Sequence, residues 1–497
     1  MTETQPATTL SALGLTPQSG GDVGITGLSV DSRKTQPGHL FAALPGTRVH
    51  GGEFIQFALR MGAAAVLTDP EGARIAEGVL AEHREAALVV VENPRAALAY
   101  AAALFFGHQP EIAVAVTGTN GKTSVATFTR QIWALLGHEA ANIGTTGVEG
   151  AFSAPSAHTT PEPITLHGLL AEMAEHGVSH VAMEASSHGL AQHRLDGVSL
   201  SAAAFTNFTQ DHLDYHSTFD EYFAAKARLF GDVLPEDGVA VINIDDPRGA
   251  ELVEIAHEVG QTVITVGADR SATLCIDSHR YTATGQDLRF LWHGKPFQTR
   301  LDLIGGFQAS NVMMAAGLAI ATGCEPSAVF SALPQLVTVK GRMQLAATRA
   351  NGGAVFVDYA HTPDALATAL QALRPHVMGR IVVVFGAGGD RDTSKRLLMG
   401  QAAAKYADVV IVTDDNPRSE DPGTIRAMVM EGCPEANEVG DRAEAILRGV
   451  DMLEPGDALL IAGKGHETGQ TIGDDVLPFD DAEQASVAVA ALEGRLA

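Results

Sequence analysis

Ile112-Ala113-Val114-Ala115-Val116-Thr117-Gly118-Thr119-Asn120-Gly121-Lys122-Thr123 is the stretch that decides the fold class. Its first five residues form a short, wholly apolar run, which suits a strand buried on both faces. A glycine turn follows, and a helix is read over residues 123–136. In that order, strand, turn and helix make a phosphate cradle: glycines let the backbone close around phosphates, and the N–H groups of the helix start point at them. Lys122 would neutralise the β- and γ-phosphates, and the Thr123 hydroxyl would reach a Mg²⁺. Val116 stands where the eight-residue pattern has its first glycine, so this is a shortened G-x-x-G-K-T loop. The plain alternative is a tight turn with a solvated lysine.

Working outward, strand candidates lie at residues 181–183, 202–205 and 239–242, with helical patterns between several of them. Such alternation predicts a mainly parallel sheet covered by helices. Residues 271–303 change to short alternating strands, an antiparallel extension. Towards the N-terminus, residues 41–44 and 64–67 read as strands and 54–61 as a helix. Towards the C-terminus a third unit starts near residue 340, with strands at 355–357, 381–385, 409–412 and 458–461. Each runs into a polar or glycine-rich turn, where open α/β sheets bind ligands. The 497 residues suffice for roughly three domains at about 150 residues each. The expected architecture is α/β with three domains: a small N-terminal α/β domain (1–108), a central P-loop domain with a mainly parallel sheet (109–339) and a C-terminal Rossmann-like domain (340–497).

Fifty-nine acids against 33 bases give a formal net charge of −26. A chain this acidic is repelled by a phosphate backbone, which argues against a nucleic-acid partner. Cys275, Cys324 and Cys433 are far apart and lack metal-ligand spacing, as in a reducing compartment. Residues 1–20 carry no secretory pattern. The longest apolar run, 96–106, is too short to span a bilayer and reads as a buried helix. A cytoplasmic protein without membrane insertion is expected.

Glu184 ends the strand at 181–183, and Asp211-His212-Leu213-Asp214-Tyr215-His216 follows the strand at 202–205. Carboxylate and imidazole groups at two strand ends can hold Mg²⁺, with Glu184 and His212 the candidates and His188 and His216 weaker ones. Turn-capping acids and histidines are the alternative. Lys226, on a helix read over residues 220–230, shares its face with Tyr222, Phe223, Leu229 and Phe230. Burial lowers a lysine's pKa, and a neutral amine can take up CO₂ as a carbamate, an oxygen ligand for a second Mg²⁺. A snorkelling or ion-paired lysine is the alternative.

Taken together, the shortened phosphate loop, Glu184-Ala185-Ser186-Ser187-His188-Gly189-Leu190, the 211–216 motif and Asp358-Tyr359-Ala360-His361-Thr362-Pro363-Asp364 resemble the Mur ligase family in order and spacing. The resemblance covers nearly the whole chain and points to the members that add the third amino acid. It implies an N-terminal domain for a UDP-sugar, a central domain for ATP and a last domain for the incoming amino acid, in an enzyme acting as a monomer. It places ATP on Gly118, Thr119, Asn120, Gly121, Lys122, Thr123, Ser124, Asn311, Arg342 and Asp358. The UDP-muramoyl-dipeptide, UDP-MurNAc-L-Ala-D-Glu, falls to Val30 and Ser32, with Thr47, Arg48 and Val49 nearby, and to Thr159, Thr160, Ser186, Gln192 and Arg194. It also implies two Mg²⁺ ions, a carbamate on Lys226 (N6-carboxylysine), and Lys122, Lys226, Glu184 and His212 as the catalytic and metal-holding set with Thr123.

Asp415-Asn416-Pro417-Arg418 resembles the motif of family members that take meso-diaminopimelate. That substrate carries a second carboxylate and amine on its far carbon. Arg418 can grip such a carboxylate in a planar fork, while Asp415 and Asn416 accept from or orient the amine. Arg391, Gly463 and Glu467 match further contacts. A salt bridge from Arg418 to Glu420 or Asp421 is the alternative. Folylpolyglutamate synthesis and a non-ligating P-loop ATPase are the competing activities.

Overall fold

The computed structural model describes residues 8–46, 48–156, 158–209, 215–216 and 218–494. The chain divides into two compact units, residues 1–266 with 314–329, and residues 267–313 with 330–497. Helix Gly306–Ala321 runs from the second into the first.

Two sheets build most of the first unit, beside a two-stranded antiparallel pair, Thr8–Thr9 with Gly24–Ile25. The smaller is parallel and four-stranded, in the order Gly27–Ser29, His39–Ala42, Ala65–Thr68, Ala87–Val90. The strand read at 41–44 starts two residues earlier, and the helix read at 54–61 opens as a 3₁₀ turn at Gly51–Phe54 before Ile55–Arg60. Helix Pro94–Phe106 departs from the expectation of a buried helix. Leu98, Ala99, Ala101 and Ala102 are buried, but Tyr100 and Leu104 are more than half exposed. An apolar run longer than one helix face necessarily puts part of itself outside.

In the larger sheet of this unit, strands follow the order Thr262–Gly267, Val239–Asn243, Ala202–Phe205, Ile112–Thr117, His180–Glu184, Ala140–Gly144 and Gly147–Gly150. All pair in parallel except the last, which turns back on Ala140–Gly144. Ile112–Thr117 has a neighbour on each side, so the chain leaves its end at the point where strand order reverses, the position at which such sheets open a crevice. Alanine, valine and isoleucine fill these strands, and the packed core under them includes Leu170, Met183, Phe205 and Tyr222.

The second unit holds an antiparallel ribbon, Leu274–Thr282, Gly285–Trp292 and Lys295–Leu301, as the alternation at 271–303 predicted. Its six-stranded sheet runs Gln344–Thr348, Ala354–Asp358, Ala458–Ala462, Ile381–Phe385, Val409–Val412, Asn437–Glu438. Apolar clusters cover both faces, which is why its central strands read as continuous valine and isoleucine. A short hairpin, Gly469–Ile472 with Asp475–Pro478, stands apart from this sheet.

Candidate active site

At the end of Ile112–Thr117 the chain turns through Gly118 and Gly121, both at positive φ (142° and 88°), into helix Lys122–Leu135. A Cβ on Gly118 would lie 1.9 Å from the Thr206 hydroxyl, so any side chain here would strain the turn and displace that hydroxyl. Residues 206–209, which follow the neighbouring strand, latch the loop. Asn120 N–H donates to Asn207 Oδ1 (2.9 Å), Thr206 Oγ1 donates to the Asn120 carbonyl (2.6 Å), and Thr209 N–H donates to Thr119 Oγ1 (3.0 Å). Lys122 Nζ folds back onto the carbonyls of Gly118 and Thr119, at 3.0 and 2.8 Å. Thr123 and Ser124 are buried in the first helical turn.

Lys226 lies on helix Phe219–Arg228, which runs into a π-helical turn at Leu229–Val233. It is 1% exposed among Tyr222, Phe223, Leu229 and Phe230, as the apolar stripe predicted. Its Nζ donates to the Gly118 carbonyl at 2.7 Å and sits 4.5 Å from the Tyr222 ring centre. This lysine neither snorkels outwards nor sits remote from the phosphate loop.

Glu184 ends the strand on the other side of the loop and is also buried. Thr145 N–H donates to its Oε1 (2.8 Å), and a Cβ on Gly144 would meet that oxygen at 2.1 Å. Thr145 was not a sequence candidate; only the strand pairing brings it to the carboxylate. His212 and Thr47 lie outside the described residues. Among the described residues no three His, Cys, Asp or Glu side chains gather as a metal cluster. His188 and His216 pack with Tyr215 as tilted and edge-on rings.

Five of the dipeptide candidates meet beside Glu184. Thr160 Oγ1 donates to the Glu184 carbonyl (2.8 Å) and lies 3.1 Å from Ser186 Oγ, which caps helix Ser187–Ala191. Thr159 Oγ1 is 3.1 Å from Thr145 Oγ1. Arg194 donates to the Thr160 carbonyl (2.6 Å) and to Gln192 Oε1 (2.8 Å). The remaining candidates follow the strands of the four-stranded sheet. Val30 and Val49 are exposed, at 39% and 51%, while Ser32 is buried. The Arg33 guanidinium and N–H hold the Asp31 carboxyl down at about 2.

Asn311, Arg342 and Asp358 belong to the second unit. Asn311 Nδ2 donates to Gln308 Oε1 at 3.0 Å. Asp358 accepts from the N–H groups of Met343 (2.7 Å) and Ala360 (2.8 Å). Burial pushes its carboxyl above the usual range, against the pull of Arg342. The Arg342 guanidinium lies 4.5 Å over the Tyr359 ring.

The amino-acid candidates gather where Ile381–Phe385, Val409–Val412 and Ala458–Ala462 end. Asn416 Nδ2 donates to Glu467 Oε2 at 2.9 Å. Gly463, at φ 116°, lets the chain pass Asp415 Oδ2, which a Cβ would meet at 2.4 Å. Arg418 Nη1 donates to the Gly389 carbonyl at 2.7 Å. The salt bridge set against this reading is not formed: Glu420 pairs with buried Arg396 at 2.8 Å, and Asp421 caps helix Pro422–Met430. Arg391, exposed, adds its field to those of Glu467, Arg342 and Asp415 around Tyr359. Beneath the site Arg442, wholly buried, forks onto Asp481 and donates to the Ala462 carbonyl at 3.0 Å.

Three family patterns cover this chain: the Mur ligase family catalytic domain over residues 24–112, the Mur ligase middle domain over 116–319, and the Mur ligase glutamate ligase domain over 341–465. The chain belongs to the Mur ligase family. Its three-domain α/β architecture is that of the family. It is 50% identical over 474 residues to the UDP-N-acetylmuramoyl-L-alanyl-D-glutamate–2,6-diaminopimelate ligase of Bradyrhizobium diazoefficiens, covering 94% of this chain and 95% of the relative. The enzyme of the same name from Caulobacter vibrioides is 49% identical over 477 residues, 95% and 96% of the two chains. A solved structure of a ligase of that name superposes with a TM-score of 0.70 at 34% identity, over 95% and 96% of the two chains. Folylpolyglutamate synthase from Mycobacterium tuberculosis, solved with ADP and AMPPCP, shares the fold at 19% identity and a TM-score of 0.59, over 78% and 91% of the two chains.

Proposed function

We propose that this chain is the ATP-dependent ligase that joins meso-2,6-diaminopimelate to UDP-N-acetylmuramoyl-L-alanyl-D-glutamate in peptidoglycan synthesis. The observation that carries this reading is the 415–418 loop. It holds a guanidinium against a backbone carbonyl rather than an acid, beside the Asn416–Glu467 pair. Half-identical relatives named for this reaction support it.

Amide formation needs an activated carboxyl, because oxide is a poor leaving group. The D-glutamyl γ-carboxylate attacks the γ-phosphorus of ATP, which breaks the bond to ADP and leaves an acyl phosphate. The neutral amine of diaminopimelate then attacks the acyl carbon, the bond from that carbon to the phosphate oxygen breaks, and the nitrogen gives up one proton to solvent as phosphate departs. Lys122 and the loop N–H groups stabilise charge on the transferred phosphoryl group. Thr123 and the buried Glu184 offer the hard oxygen donors that suit Mg²⁺, and His212 with Lys226, as its carbamate, would hold a second ion. Bound there, the ions would neutralise charge on phosphate oxygens. Thr159, Thr160, Ser186, Gln192 and Arg194 orient the muramoyl-dipeptide, Val30, Ser32, Thr47, Arg48 and Val49 its uridine end. Asn311, Arg342 and Asp358 take adenosine, while Arg391, Asp415 to Arg418, Gly463 and Glu467 take diaminopimelate.

We assign residues 1–108 to the UDP-sugar, 109–339 to ATP and 340–497 to the amino acid, in a cytoplasmic monomer. Among the described residues no helix is long and apolar enough to cross a membrane. The deciding experiment offers purified protein ATP, the UDP-muramoyl-dipeptide and either diaminopimelate or lysine, and weighs the product by mass spectrometry. The tripeptide with diaminopimelate is expected. Phosphate release that ignores the amine would mark an ATPase and end this reading.

A further inference from the structure

The side-chain oxygen of Asn416 is fully engaged by the protein. Its Oδ1 accepts from Lys464 Nζ at 2.9 Å and from Thr471 N–H at 2.9 Å. Both partners can only donate, so the atom between them must be the oxygen, and the amide orientation is fixed by chemistry. Nδ2 then spends one hydrogen on Glu467 Oε2. What Asn416 has left for a ligand is a single N–H. It can meet a carboxylate and cannot accept from an ammonium.

Lys464 has little freedom in this. It is 0% exposed and follows strand Ala458–Ala462 between Gly463 and Gly465, both at positive φ (116° and 56°). Gly463 is pressed against Asp415, and a Cβ on Gly465 would lie 2.7 Å from the Tyr359 Cβ. The hairpin that supplies Thr471 N–H is clamped to the same loop: Gln470 Nε2 donates to the Asp415 carbonyl (2.7 Å), Arg418 N–H to the Thr471 carbonyl (3.1 Å) and Gly473 N–H to the Arg418 carbonyl (2.8 Å). The charges that act on Lys464 are Asp415, Glu467, Asp481 and Arg442. Lys464 Nζ also lies 3.6 Å from Glu467 Oε2, so the lysine ties together both residues that flank the amide of Asn416.

We propose that Lys464 is a positioning residue for specificity: by holding Asn416 Oδ1 together with Thr471 N–H, it turns the Asn416 N–H towards the far carboxylate of the incoming amino acid. Arg418 and Asn416 then form a donor pair for that carboxylate, and Asp415 and Glu467 an acceptor pair for the amine beside it. A substrate whose far end has only an ammonium leaves the donor pair unanswered, which is a strong basis for rejection. This assigns Asn416 the donor role, whereas the sequence allowed it to accept.

The inference rests on the diaminopimelate reading, and the two fail differently. If that reading is wrong, the wild-type protein shows no diaminopimelate-dependent phosphate release. The test of Lys464 is Lys464→Met, which keeps the stem and removes the donor. Loss of a charged hydrogen bond corresponds to a fall of about 30-fold in kcat/KM for diaminopimelate. Preference over lysine, supplied at high concentration, should drop by about tenfold or more, with the KM for ATP unchanged. A merely structural lysine would lower both amino acids by one factor, and that result overturns the proposal. If Lys464→Met gives no cooperative melt, Asn416→Asp decides. It keeps an acceptor for Lys464 and Thr471 but offers the ligand no N–H. Selective loss of diaminopimelate use supports the assignment, and wild-type selectivity refutes it.

Discussion

Arg418 holds its backbone in the left-handed region, at φ 51°. A non-glycine residue there carries strain on the order of 1–3 kcal/mol, kept only where the surroundings impose it. Here the hairpin imposes it, through backbone bonds on both sides of Arg418. Arg418→Ala should therefore lower kcat/KM for diaminopimelate by about 100-fold or more while leaving ATP affinity unchanged in calorimetric titration; retained preference over lysine would remove Arg418 from the specificity argument. Lys226→Ala should lose most turnover and recover part of it with added short-chain carboxylic acids; a variant with wild-type turnover would dispose of the carbamate. Lys226 was legible in sequence because helical spacing alone puts it among aromatic neighbours. Thr145 was not, since it reaches Glu184 only through the pairing of Ala140–Gly144 with His180–Glu184. Lys464 carried a usable signal, a charged residue between two glycines after a buried strand.

At the scale of elements, the phosphate loop is a strand end and a helix start pinned by residues 206–209. Gly118→Ala should cost about 1–3 kcal/mol in stability, from strained backbone and the clash with Thr206. ATP affinity should fall well beyond what that loss explains, and calorimetry of binding beside a denaturant melt separates the two. Strands of the two larger sheets were legible almost to the residue at 202–205, 381–385 and 409–412, because strands buried on both faces must be apolar throughout. The hairpin Gly469–Ile472 with Asp475–Pro478 was not. Its apolar residues Val476 and Leu477 are 67% and 50% exposed, so no inside-outside alternation announces it.

For the whole molecule, buried histidines set the response to acid. His180 and His466 are held down at about 4, first by burial, and His167 and His376 are lowered for the same reason. Gly305 N–H donates to His376 Nε2 at 3.0 Å, so that nitrogen carries no proton in the fold. Unfolding frees these rings to bind protons below about 6.5, so their contribution is complete above that pH and drains away as pH falls towards 4. Stability should decline between pH 7 and pH 5, and His180→Phe should reduce that decline by on the order of 1 kcal/mol in denaturant melts. An equal slope in the variant would assign the acid response elsewhere. Which histidines are buried was beyond the sequence: His180 opens a strand against Trp133 and His138, contacts made only in the folded sheet.

Arg442 and Asp481 lie on either side of position 467 in the chain, yet they form one wholly buried pair under the amino-acid pocket. Everything the pocket shows to a ligand is thus translated before the carboxylate that lets its floor close. A nascent chain halted between 467 and 481 would leave the Arg442 guanidinium with backbone carbonyls alone and no counter-charge, a defect worth roughly 3–5 kcal/mol. On the proposed function, the amino-acid site is complete only once helix Asp481–Leu492 has docked.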